Sequence, residues 1–580
     1  MKSIDWDAPI DKLWELLDQK NFEVNRIVCV YRSSEIFGII TDSEIRKYIS
    51  LHRSLPTAIS EITRQDYIYV DHHPDRMKMA LIIADQLERR EYSTLNSVNE
   101  ILVVYGNKAD LVPISDFSGE ISLLRDKFFV VGLGYIGLTL FAVLFARMDS
   151  MRVFGIENSQ EKIAKLKNRD FYVLEPGLDD YLADLGGSNL FQAVKEVWAT
   201  RQSGLGKNVY FIAVQTPVSK DGTTSLDALL SATEEISPYL QKGDVVVIRS
   251  TVPVGTSRWI AKRIEGLSNL ECGVDFHLGF APERTIEGDA IREIESLPQI
   301  ISGYSNSCTS KIREIVQRWT TSIMVASSLE IAELTKLSNN AFRDHHFAFA
   351  NELSMIAGRH SVDINEVIHL ANSGYKRGGI PMPSAGVGGP CLSKDSKILL
   401  AEKITQATLN KVLLDKSNIG KSTILSARIV NESMPVYLAN RIIKDISSEE
   451  LVDRNGILIG VAFKGFPATN DLRNSPSVEL GLELTKNQVN LYCWDAEALE
   501  LDLRELALRP IHDLIAGDTK PTFCVIGNNH VKNVEKLKAL VDQFSSLKKV
   551  YDPWDLVRAL GEIAFFRSRE VIIENLSTRI

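Results

Sequence analysis

The chain has 580 residues, too many for one hydrophobic core, and typical domain sizes predict about three or four domains. Its net charge of −9 at pH 7 disfavours a nucleic-acid-binding protein, which usually carries a basic face. Six scattered cysteines include no CxxC pair, so neither a disulfide framework nor a metal site is predicted. A reducing cytoplasm is the expected compartment, and the polar segment MKSIDWDAPI is unlike a secretory signal.

The first part of the chain, up to about residue 120, predicts a separate module. Residues 26–31 and 36–40 have the apolar composition of strands. Thr41 and Asp42 follow them, and either side chain suits the N-cap of a helix with the sequence SEIRKYIS. A weaker second copy is predicted from residue 58 to 117, where it ends in the strand ILVVYG and the segment LVPISDF.

An uncharged run over residues 128–146 is long enough to span a bilayer. It contains three glycines with GxGxxG spacing, however, which a nucleotide-binding turn explains. No membrane insertion is therefore predicted.

From Lys127 onwards, apolar runs alternate with helical segments, a pattern that predicts a parallel α/β sheet. The predicted strands are FFVVGLG, RVFGIE, VYFIAV, DVVVIRST and FHLGFA. A polar, helix-rich block follows over residues 328–400. A second series of strands begins at Gly456, with ILIGVAF, VNLYCWD, TFCVIGN and KKVYD. The pattern predicts two nucleotide-binding folds joined by helices.

Gly132, Gly134 and Gly137 follow an apolar strand and open an apolar helix. Such glycines let the backbone approach a pyrophosphate, and the helix N-terminus offers free N–H groups and partial positive charge. Glu157 ends the next strand, 20 residues after Gly137. A carboxylate there accepts hydrogen bonds from ribose hydroxyls and repels a 2′-phosphate, so NAD is predicted rather than NADP.

Cys391 follows a Gly-Val-Gly-Gly turn and precedes an apparent helix, SKDSKILLAEK. A cysteine at a helix N-terminus is a stronger nucleophile because its pKa is lowered, and we expect a lowered pKa here. Asp395 lies four residues further on. The remaining cysteines lie in apolar strands or ordinary surface sequence and are predicted to be structural: Cys29, Cys272, Cys308, Cys493 and Cys524.

Eight motifs then occur in one order along the chain. They are GLGYIGL (132–138), EPGL (175–178), QTPV (215–218), STVPVGT (250–256), APERTIEG (281–288), ELTKLSNNAFRDHHFAFANE (333–352), GVGGPCLSKD (386–395) and FKGFPATNDLRNSPS (463–477). In this order they resemble the UDP-glucose/GDP-mannose dehydrogenase family over roughly residues 125–560.

The resemblance implies oxidation of the C6 hydroxyl of a nucleotide sugar to a carboxylate, with four electrons passing to two NAD+. Cys391 would form a thiohemiacetal and then a thioester. Lys336 and Asn340, four residues apart on one predicted helix face, would cradle the reacting oxygen. Asp395, Thr251 and Glu287 would position the sugar or water.

The resemblance also implies the binding residues. Those predicted for the cofactor are Gly132, Gly134, Tyr135, Ile136, Gly137, Glu157, Thr216, Thr251 and Arg473. Those predicted for the nucleotide sugar are Glu283, Lys336, Asn340, Lys464 and Arg377. Arg377 would reach the sugar site of a neighbouring subunit, and the individual roles of Glu283 and Glu287 stay open.

Two features bear on which sugar is oxidised. GVGG before the cysteine and APER in the glutamate loop are similar to members that act on UDP-N-acetylhexosamines. SKD after the cysteine is similar to the UDP-glucose type. UDP-GlcNAc or UDP-ManNAc is the first expected substrate, followed by UDP-glucose and then GDP-mannose.

The segment IFGIITDSEIRKYI resembles the core of a CBS domain, where Thr41 and Asp42 match positions that hold an adenosine ribose. An adenine-nucleotide sensor and a degenerate pair that only supports assembly are both open. The expected fold is α/β, with two Rossmann-like doubly wound domains joined by a helical linker and preceded by an α+β CBS-like module.

The predicted boundaries run from the module (1–122) through the NAD domain (125–327), a central helical domain with the cysteine loop and the dimer contact (328–445), and a nucleotide-sugar domain (446–565) to a tail (566–580). A homodimer or higher homo-oligomer is expected. Two alternatives would lack the four-electron chemistry. A two-electron dehydrogenase of the β-hydroxyacid type would not need Cys391, and a nucleotide-sensing protein would have no turnover.

Overall fold

The computed structural model describes residues 2–17, 27–32, 35–65, 67–89, 100–105, 108–117, 126–200, 207–219, 221–402, 411–412, 422–447, 454–517 and 519–578. The chain divides into two compact units. The first comprises Met1–Phe128 and Val197–Val209, and the second comprises Phe129–Glu196 and Tyr210–Ile580.

The amino-terminal unit contains the same β-α-β-β order twice. Its first copy consists of β1 (Lys2–Asp5), α1 (Ile10–Leu17), β2 (Ile27–Arg32), β3 (Glu35–Thr41) and α2 (Asp42–His52). Its second copy consists of β4 (Tyr69–Asp71), α3 (Arg76–Arg89), β5 (Glu100–Tyr105), β6 (Lys108–Pro113) and a 3-10 turn at Ile114–Phe117. The repetition predicted from the sequence is present in the element order.

Both copies pair their strands in the same way. In each, the first strand runs parallel to the second, and the second runs antiparallel to the third. Cys29 and Ile39 from one sheet share a buried cluster with Leu102 and Val104 from the other, so the two sheets pack together. Thr41 ends β3, and the Glu44 carboxylate accepts a hydrogen bond from its backbone N–H at 3.2 Å. The side chain of Asp42 lies outside the described part of the chain.

The NAD-domain region consists, in chain order, of β7 (Lys127–Val131), α4 (Tyr135–Arg147), β8 (Val153–Ile156), α5 (Gln160–Lys167), α6 (Leu178–Tyr181), β9 (Leu190–Phe191), α7 (Val194–Thr200), β10 (Asn208–Ile212), β11 (Thr224–Ser225), α8 (Asp227–Ile236), β12 (Val245–Ile248), α9 (Thr256–Ser268), β13 (His277–Phe280), α10 (Ala290–Ser296), β14 (Gln299–Gly303), α11 (Asn306–Val316) and β15 (Ile323–Val325). The strands predicted here are confirmed, and β9, β11, β14 and β15 are additional.

The described strands of this region form a sheet in the order β15-β14-β13-β12-β10-β7-β8-β9. The chain runs from β7 to β8 and β9 on one side, then returns to β10 and β12 on the other. This doubly wound topology places the ligand crevice at the carboxyl ends of β7 and β10, where the order reverses. The sheet is not wholly parallel as predicted, because β13 and β14 pair antiparallel. Such a strand near the edge of a parallel sheet is common.

A helical region follows, with α12 (Leu329–Arg359), α13 (Ile364–Asn372), α14 (Leu392–Leu399), β16 (Lys411–Val412) and α15 (Thr423–Ser447). Helix α12 has two contrasting faces. Lys336, Asn340 and Asp344 succeed one another at four-residue intervals and are buried. The other face leaves apolar side chains exposed: Ile331, Leu334, Phe342, Phe349 and Ile356.

The carboxyl-terminal region consists of β17 (Asn455–Ile459), α16 (Pro476–Lys486), β18 (Asn490–Trp494), α17 (Glu500–Glu505), β19 (Arg509–Pro510), α18 (Ile511–Ile515), β20 (Phe523–Ile526), α19 (Lys532–Gln543), β21 (Lys549–Tyr551), α20 (Leu556–Ala559), α21 (Ile563–Arg567) and β22 (Ile572–Glu574). The described strands form a parallel sheet in the order β19-β18-β17-β20-β21-β22. The second doubly wound fold is confirmed.

The core of this sheet follows the two-residue period of its strands. Leu458 belongs to the buried cluster on one face, while Ile457 and Ile459 belong to the cluster on the other. The segment 566–580, expected to be a tail, instead contains β22, which pairs with β21, and Leu576, which is buried in the core. Its short apolar run is too brief to stand out in the sequence.

In the described part of the chain, no helix has both the length and the apolar character needed to cross a membrane. The uncharged run over residues 128–146 is divided between strand β7, the glycine turn and helix α4. The run that is long enough to span a bilayer is therefore not one continuous helix.

Candidate active site

The glycine turn after β7 has the form that a dinucleotide pyrophosphate requires. Gly132 has a φ of 89°, which disfavours any side chain. A Cβ on Gly137 would lie 1.8 Å from the Gly132 carbonyl oxygen, so only glycine lets α4 come this close. No atom lies within 4 Å of a Cβ built on Gly134, and no side chain caps the helix that begins at Tyr135. The turn is therefore open to an anion at the helix N-terminus.

Glu157 follows β8 and is buried against this turn. Its Oε2 accepts a hydrogen bond from the backbone N–H of Leu133 at 3.1 Å, and its Oε1 accepts one from Ser159 N at 3.1 Å. Lys162 Nζ lies 3.5 Å from the same carboxylate. The residues fit an adenosine ribose beside the turn, because the acid lies at the expected strand end.

Tyr135 and Glu175 connect the turn to the glutamate loop. The hydroxyl of Tyr135 donates a hydrogen bond to the Glu175 carboxylate. Gly288 N donates to Glu175 Oε2 at 2.9 Å, and Ile291 N donates to Glu175 Oε1 at 3.2 Å. Burial and the Glu175 hydrogen bond raise the pKa of Tyr135, so the hydroxyl stays protonated. Glu175 holds the backbone next to Glu287, a role that its motif alone did not reveal.

Two threonines lie at the carboxyl ends of adjacent strands. Thr216 follows β10 and Thr251 follows β12, and both are buried. Thr216 Oγ1 donates a hydrogen bond to the Thr251 carbonyl at 2.6 Å. The structure thus brings these two predicted cofactor residues together at the crevice edge.

The two loop glutamates have different surroundings. Glu283 forms a buried ion pair with Arg249 and accepts hydrogen bonds from the backbone N–H groups of Arg284 and Thr285 at 2.7 and 2.9 Å. Burial alone would raise the pKa of Glu283, but the Arg249 charge and these N–H groups lower it. Glu283 is therefore a carboxylate whose oxygens are already engaged.

Burial and the nearby Asp471 charge raise the pKa of Glu287 to about 7, although Arg473 and Lys464 oppose the shift. Thr469 Oγ1 lies 3.4 Å from Glu287 Oε2, and Lys464 Nζ donates to the Glu287 carbonyl at 2.6 Å. A carboxyl group with this pKa exchanges protons readily near neutral pH.

Arg473 belongs to the same loop as Lys464. Its Nη2 lies 3.9 Å from Glu287 Oε1, and its Nε donates to Asp471 at 2.9 Å. Burial lowers the pKa of Lys464, while the Asp471 hydrogen bond raises that of Arg473. Both cations lie within electrostatic reach of Cys391.

The buried face of α12 meets the start of α14. Asn340 Nδ2 donates to Asp395 Oδ2 at 2.6 Å, and Lys394 Nζ lies 3.0 Å from Asp395 Oδ1. Lys336 lies one turn before Asn340, and its charge acts on Cys391. The predicted set of Lys336, Asn340, Asp395 and Cys391 is thus brought together, and Lys394 joins it.

Cys391 is the N-cap residue of α14 and is half-buried. The expectation of a lowered pKa is wrong. Burial raises the pKa of the thiol and the Asp395 charge raises it further, against the opposing charges of Lys336 and Lys394. The helix N-terminus predicted the opposite direction because it says nothing about burial or about Asp395.

Arg377 is exposed, and its guanidinium lies 5.7 Å from the ring of Tyr375. None of its contacts in the described residues joins it to Cys391. The cysteines predicted to be structural are all buried: Cys29, Cys272, Cys308, Cys493 and Cys524. Among the described residues, no group of three or more His, Cys, Asp or Glu side chains is arranged to hold a metal ion.

Residues 126–320 match the NAD-binding domain of the UDP-glucose/GDP-mannose dehydrogenase family, and residues 330–418 match its central domain. The chain is 32% identical over 362 residues to UDP-N-acetyl-D-mannosamine dehydrogenase of Pyrococcus horikoshii, an alignment that covers 62% of this chain and 81% of that protein. The chain belongs to the UDP-glucose/GDP-mannose dehydrogenase family. The family models begin at residue 126, so the amino-terminal module lies outside the match.

A second relative is the NDP-N-acetyl-D-galactosaminuronic acid dehydrogenase of Ralstonia solanacearum, 29% identical over 62% of this chain and 80% of that protein. The solved structure of UDP-D-ManNAc dehydrogenase from Pyrococcus horikoshii superposes with a TM-score of 0.59 at 28% identity, over 73% of this chain and 94% of that one. As a family member the enzyme is an NAD-dependent nucleotide-sugar dehydrogenase, and the family carries out four-electron oxidation. The predicted enzyme class and cofactor are confirmed.

Proposed function

We propose that this dehydrogenase oxidises the C6 hydroxyl of a UDP-N-acetylhexosamine, UDP-ManNAc or UDP-GlcNAc, to the carboxylate through Cys391. The observation that carries the proposal is the position of Cys391 at the start of α14, with Lys336, Asp395 and Glu287 all within electrostatic reach of its thiol. Such a cluster supplies a nucleophile, a cation and two proton acceptors at one point.

We assign the cofactor to the crevice at the ends of β7, β8, β10 and β12. When bound, NAD+ accepts a hydride in each oxidation. The residues proposed to hold it are Gly132, Gly134, Tyr135, Ile136, Gly137, Glu157, Thr216, Thr251 and Arg473. The open helix N-terminus at Gly134 supports a pyrophosphate there, and the carboxylate of Glu157 supports a ribose beside it.

In the first oxidation the C6 hydroxyl loses its proton as the hydride leaves. Lys336 and Asn340 stabilise the oxygen, since both are buried side chains on the α12 face next to Cys391. Thr251 and Asp395 complete the network that removes the proton. The enclosed surroundings strengthen each of these interactions because little water competes.

In the second oxidation the sulfur of Cys391 adds to the aldehyde carbon C6, so that C6 again carries a hydroxyl oxygen, which becomes the thioester carbonyl as C6 gives up its hydride to the second NAD+. Because burial and Asp395 keep the free thiol protonated, its proton has to leave as the bond forms. Asp395, hydrogen-bonded to Asn340, is the proposed acceptor. The product of this step is a thioester.

Water then hydrolyses the thioester, and we assign its activation to Glu287. A pKa of about 7 leaves Glu287 partly ionised near neutral pH, as a general base needs. Glu283 is less suited, since Arg249 and two backbone N–H groups engage its oxygens. We assign Glu283, Lys464 and Arg377 to the nucleotide sugar, Arg377 acting in a neighbouring subunit.

The names of the relatives support an N-acetylated sugar, since one acts on UDP-N-acetyl-D-mannosamine. The test is the number of NADH formed per nucleotide sugar consumed, for UDP-ManNAc, UDP-GlcNAc, UDP-glucose and GDP-mannose. We expect two NADH with an N-acetylhexosamine substrate, and no acid from Cys391→Ser. One NADH per sugar, with an unaffected Cys391→Ser variant, would favour the two-electron alternative.

We further propose a homodimer or higher oligomer that buries the exposed apolar face of α12. Large apolar side chains gathered on one helix face usually mark an interaction surface. Phe342→Asp should lower the mass measured by light scattering, whereas Met151→Asp, at another exposed apolar residue, should not. An unchanged mass in Phe342→Asp would place the contact elsewhere.

The remaining proposals concern the amino-terminal module and the location. We propose the module as residues 1–122, the NAD domain as 125–327, the central helical domain as 328–445 and the nucleotide-sugar domain as starting at 446. The repeated β-α-β-β order supports a CBS-like module that holds an adenine nucleotide at Thr41 and Asp42. Calorimetric titration with ATP, ADP and AMP tests this, and no heat with any of them would leave assembly as its role. We expect the enzyme in the cytoplasm, where NAD+ and reduced thiols are available.

A further inference from the structure

A buried arginine on α15 holds the loop that carries Cys391. The side chain of Arg428 is only 1% exposed. Its Nη2 donates to the Val387 carbonyl at 2.5 Å, and its Nη1 lies 3.3 Å from the Leu392 carbonyl. These carbonyls belong to the residues four before and one after Cys391. One guanidinium therefore contacts the backbone on both sides of Cys391.

The same guanidinium is anchored to α12. Asp344 Oδ1 accepts a hydrogen bond from Arg428 Nη1 at 2.7 Å, and Asn431 Nδ2 donates to the same oxygen at 2.8 Å. Ser396 of α14 donates to Asp344 Oδ2 at 3.2 Å. Asp344 thus joins α12, α14 and α15 at a point one turn beyond Asn340 on the same face of α12.

A second tie fixes the beginning of the loop. Asn351, further along α12, accepts a hydrogen bond from Ser384 N at 2.8 Å and donates one to Asn431 Oδ1 at 2.9 Å. The loop has little room of its own, because a Cβ on Gly388 would lie 2.0 Å from the Asn474 carbonyl. These polar contacts hold the loop at a fixed distance from α12.

We infer that Arg428, oriented by Asp344, is a positioning residue that sets the distance between the Cys391 thiol and the buried face bearing Lys336 and Asn340. The inference rests on the proposed role of Cys391. The inference follows from the geometry of arginine. Its planar guanidinium donates at once to the Asp344 carboxylate on α12, to the Val387 carbonyl in the loop and to the Leu392 carbonyl at the start of α14. A buried ion pair that only stabilised the fold would not need to reach the carbonyls on either side of the nucleophile.

Arg428→Lys is the test, because lysine keeps the charge that Asp344 requires but has no fork to hold both carbonyls. Arg441→Lys is the matched control. Arg441 lies on the same helix, but its contacts are the Asn575 carbonyl and Glu574 in the carboxyl-terminal segment. Three quantities are measured on the full chain: kcat and KM for acid formation, the pH dependence of Cys391 alkylation by iodoacetamide followed by peptide mass, and the thermal unfolding midpoint.

We expect Arg428→Lys to lower kcat about 100-fold, as a displacement of the order of 1 Å does, with KM values within about twofold. Alkylation of Cys391 should become faster at neutral pH, since a loosened loop relieves the burial that raises the thiol pKa. Because general destabilisation would also expose the thiol and reduce turnover, both quantities are compared at a temperature well below the unfolding midpoint of each variant, where the folded state predominates. Arg441→Lys should match the wild type in both.

Two outcomes would overturn the inference: wild-type kcat and alkylation in Arg428→Lys, or equal losses in Arg441→Lys. Failure of the proposed function is a separate result. It would be seen as acid formation with two NADH in Cys391→Ser. The alkylation comparison is made in proteins that retain Cys391, so it decides the role of Arg428 in either case.

Discussion

The two doubly wound sheets of this dehydrogenase begin alike. Each first strand ends at a glycine with positive φ, Gly132 after β7 at 89° and Gly460 after β17 at 82°. Each second strand is followed by an acidic residue, Glu157 or Asp495, whose carboxylate accepts hydrogen bonds from backbone N–H groups of that turn. The same backbone requirement is met twice in one chain.

They differ in how the next helix starts. Helix α4 begins at Tyr135, only three residues after Gly132, and no side chain caps it. Helix α16 begins at Pro476, far beyond Gly460, and Ser475 Oγ accepts hydrogen bonds from two N–H groups of its first turn. The N-terminus of the first helix is open, whereas that of the second is occupied by its own chain.

The second fold has a long segment between its glycine turn and its helix. This segment carries Lys464, Thr469 and Arg473 towards Glu287. We propose that the first fold contacts its ligand mainly through backbone N–H groups, and that the second does so through charged side chains on this long loop.

Closing the glycine turn should have the largest effect. In Gly137→Ala the new Cβ would lie 1.8 Å from the Gly132 carbonyl oxygen, so the turn has to open. We expect NAD+ affinity, measured by calorimetric titration, to fall more than about 100-fold. Gly266→Ala on α9 meets no atom within 4 Å and should keep the affinity. Wild-type affinity in Gly137→Ala would remove the basis of the comparison.

Removing the loop cation should be the next largest effect. Lys464→Met deletes the ammonium that reaches the Glu287 carbonyl and should lower kcat/KM for the nucleotide sugar about 100-fold. NAD+ affinity should not change, since Lys464 is assigned to the nucleotide sugar and not to the cofactor. Lys486→Met, on the exposed side of α16, is the control. Equal losses of affinity for the nucleotide sugar and for NAD+ would contradict the assignment of Lys464 to the sugar alone.

The ionisation of Glu287 should shape the pH profile. With a pKa raised from 4.5 to about 7, the carboxyl group is protonated below about pH 7 and cannot act as a base. We expect the rate of thioester hydrolysis to fall about tenfold per pH unit below that point. Glu287→Gln should be slow throughout and lack this limb. If the decrease in rate below about pH 7 persists in Glu287→Gln, another group is responsible for it, and the assignment to Glu287 is wrong.

The same shift has a consequence for folding. Because the folded protein holds the Glu287 proton more tightly than the unfolded chain does, the stability that this proton contributes is complete below about pH 4.5 and is lost as the pH rises through about 7. Glu287→Gln, neutral at every pH, should not show that loss. Urea unfolding at pH 5 and pH 8 measures the difference.

Uncapping α16 should have the smallest effect. Ser475→Ala removes the oxygen that accepts from the first turn and should lower the free energy of unfolding by about 1 kcal/mol. The affinity for NAD+ should stay as it was. If Ser475→Ala also bound phosphate at the start of α16, the uncapped helix would behave as we propose for α4, and the comparison between the two folds would be strengthened.

The parallel strands were predictable because both of their faces are buried, so each forms a continuous apolar run. Strands β15 and β22 were not predicted because each has only three residues, too few to form a recognisable apolar run. Strand β14 was not predicted because its sequence, QIISG, contains only two large apolar residues. In the site, Asp344 follows Asn340 at the same four-residue interval that separates Lys336 from Asn340, so the sequence could have placed it on the same helix face. Arg428 was not, because no local pattern tells which distant carbonyls a side chain meets.

The two faces of α12 have a consequence for how such enzymes diversify. The buried polar face bears Lys336, Asn340 and Asp344, and the exposed apolar face bears none of them. A change on one face leaves the side chains of the other in place. Substitutions on the exposed face can therefore alter what packs against the helix without replacing any residue of the buried polar face.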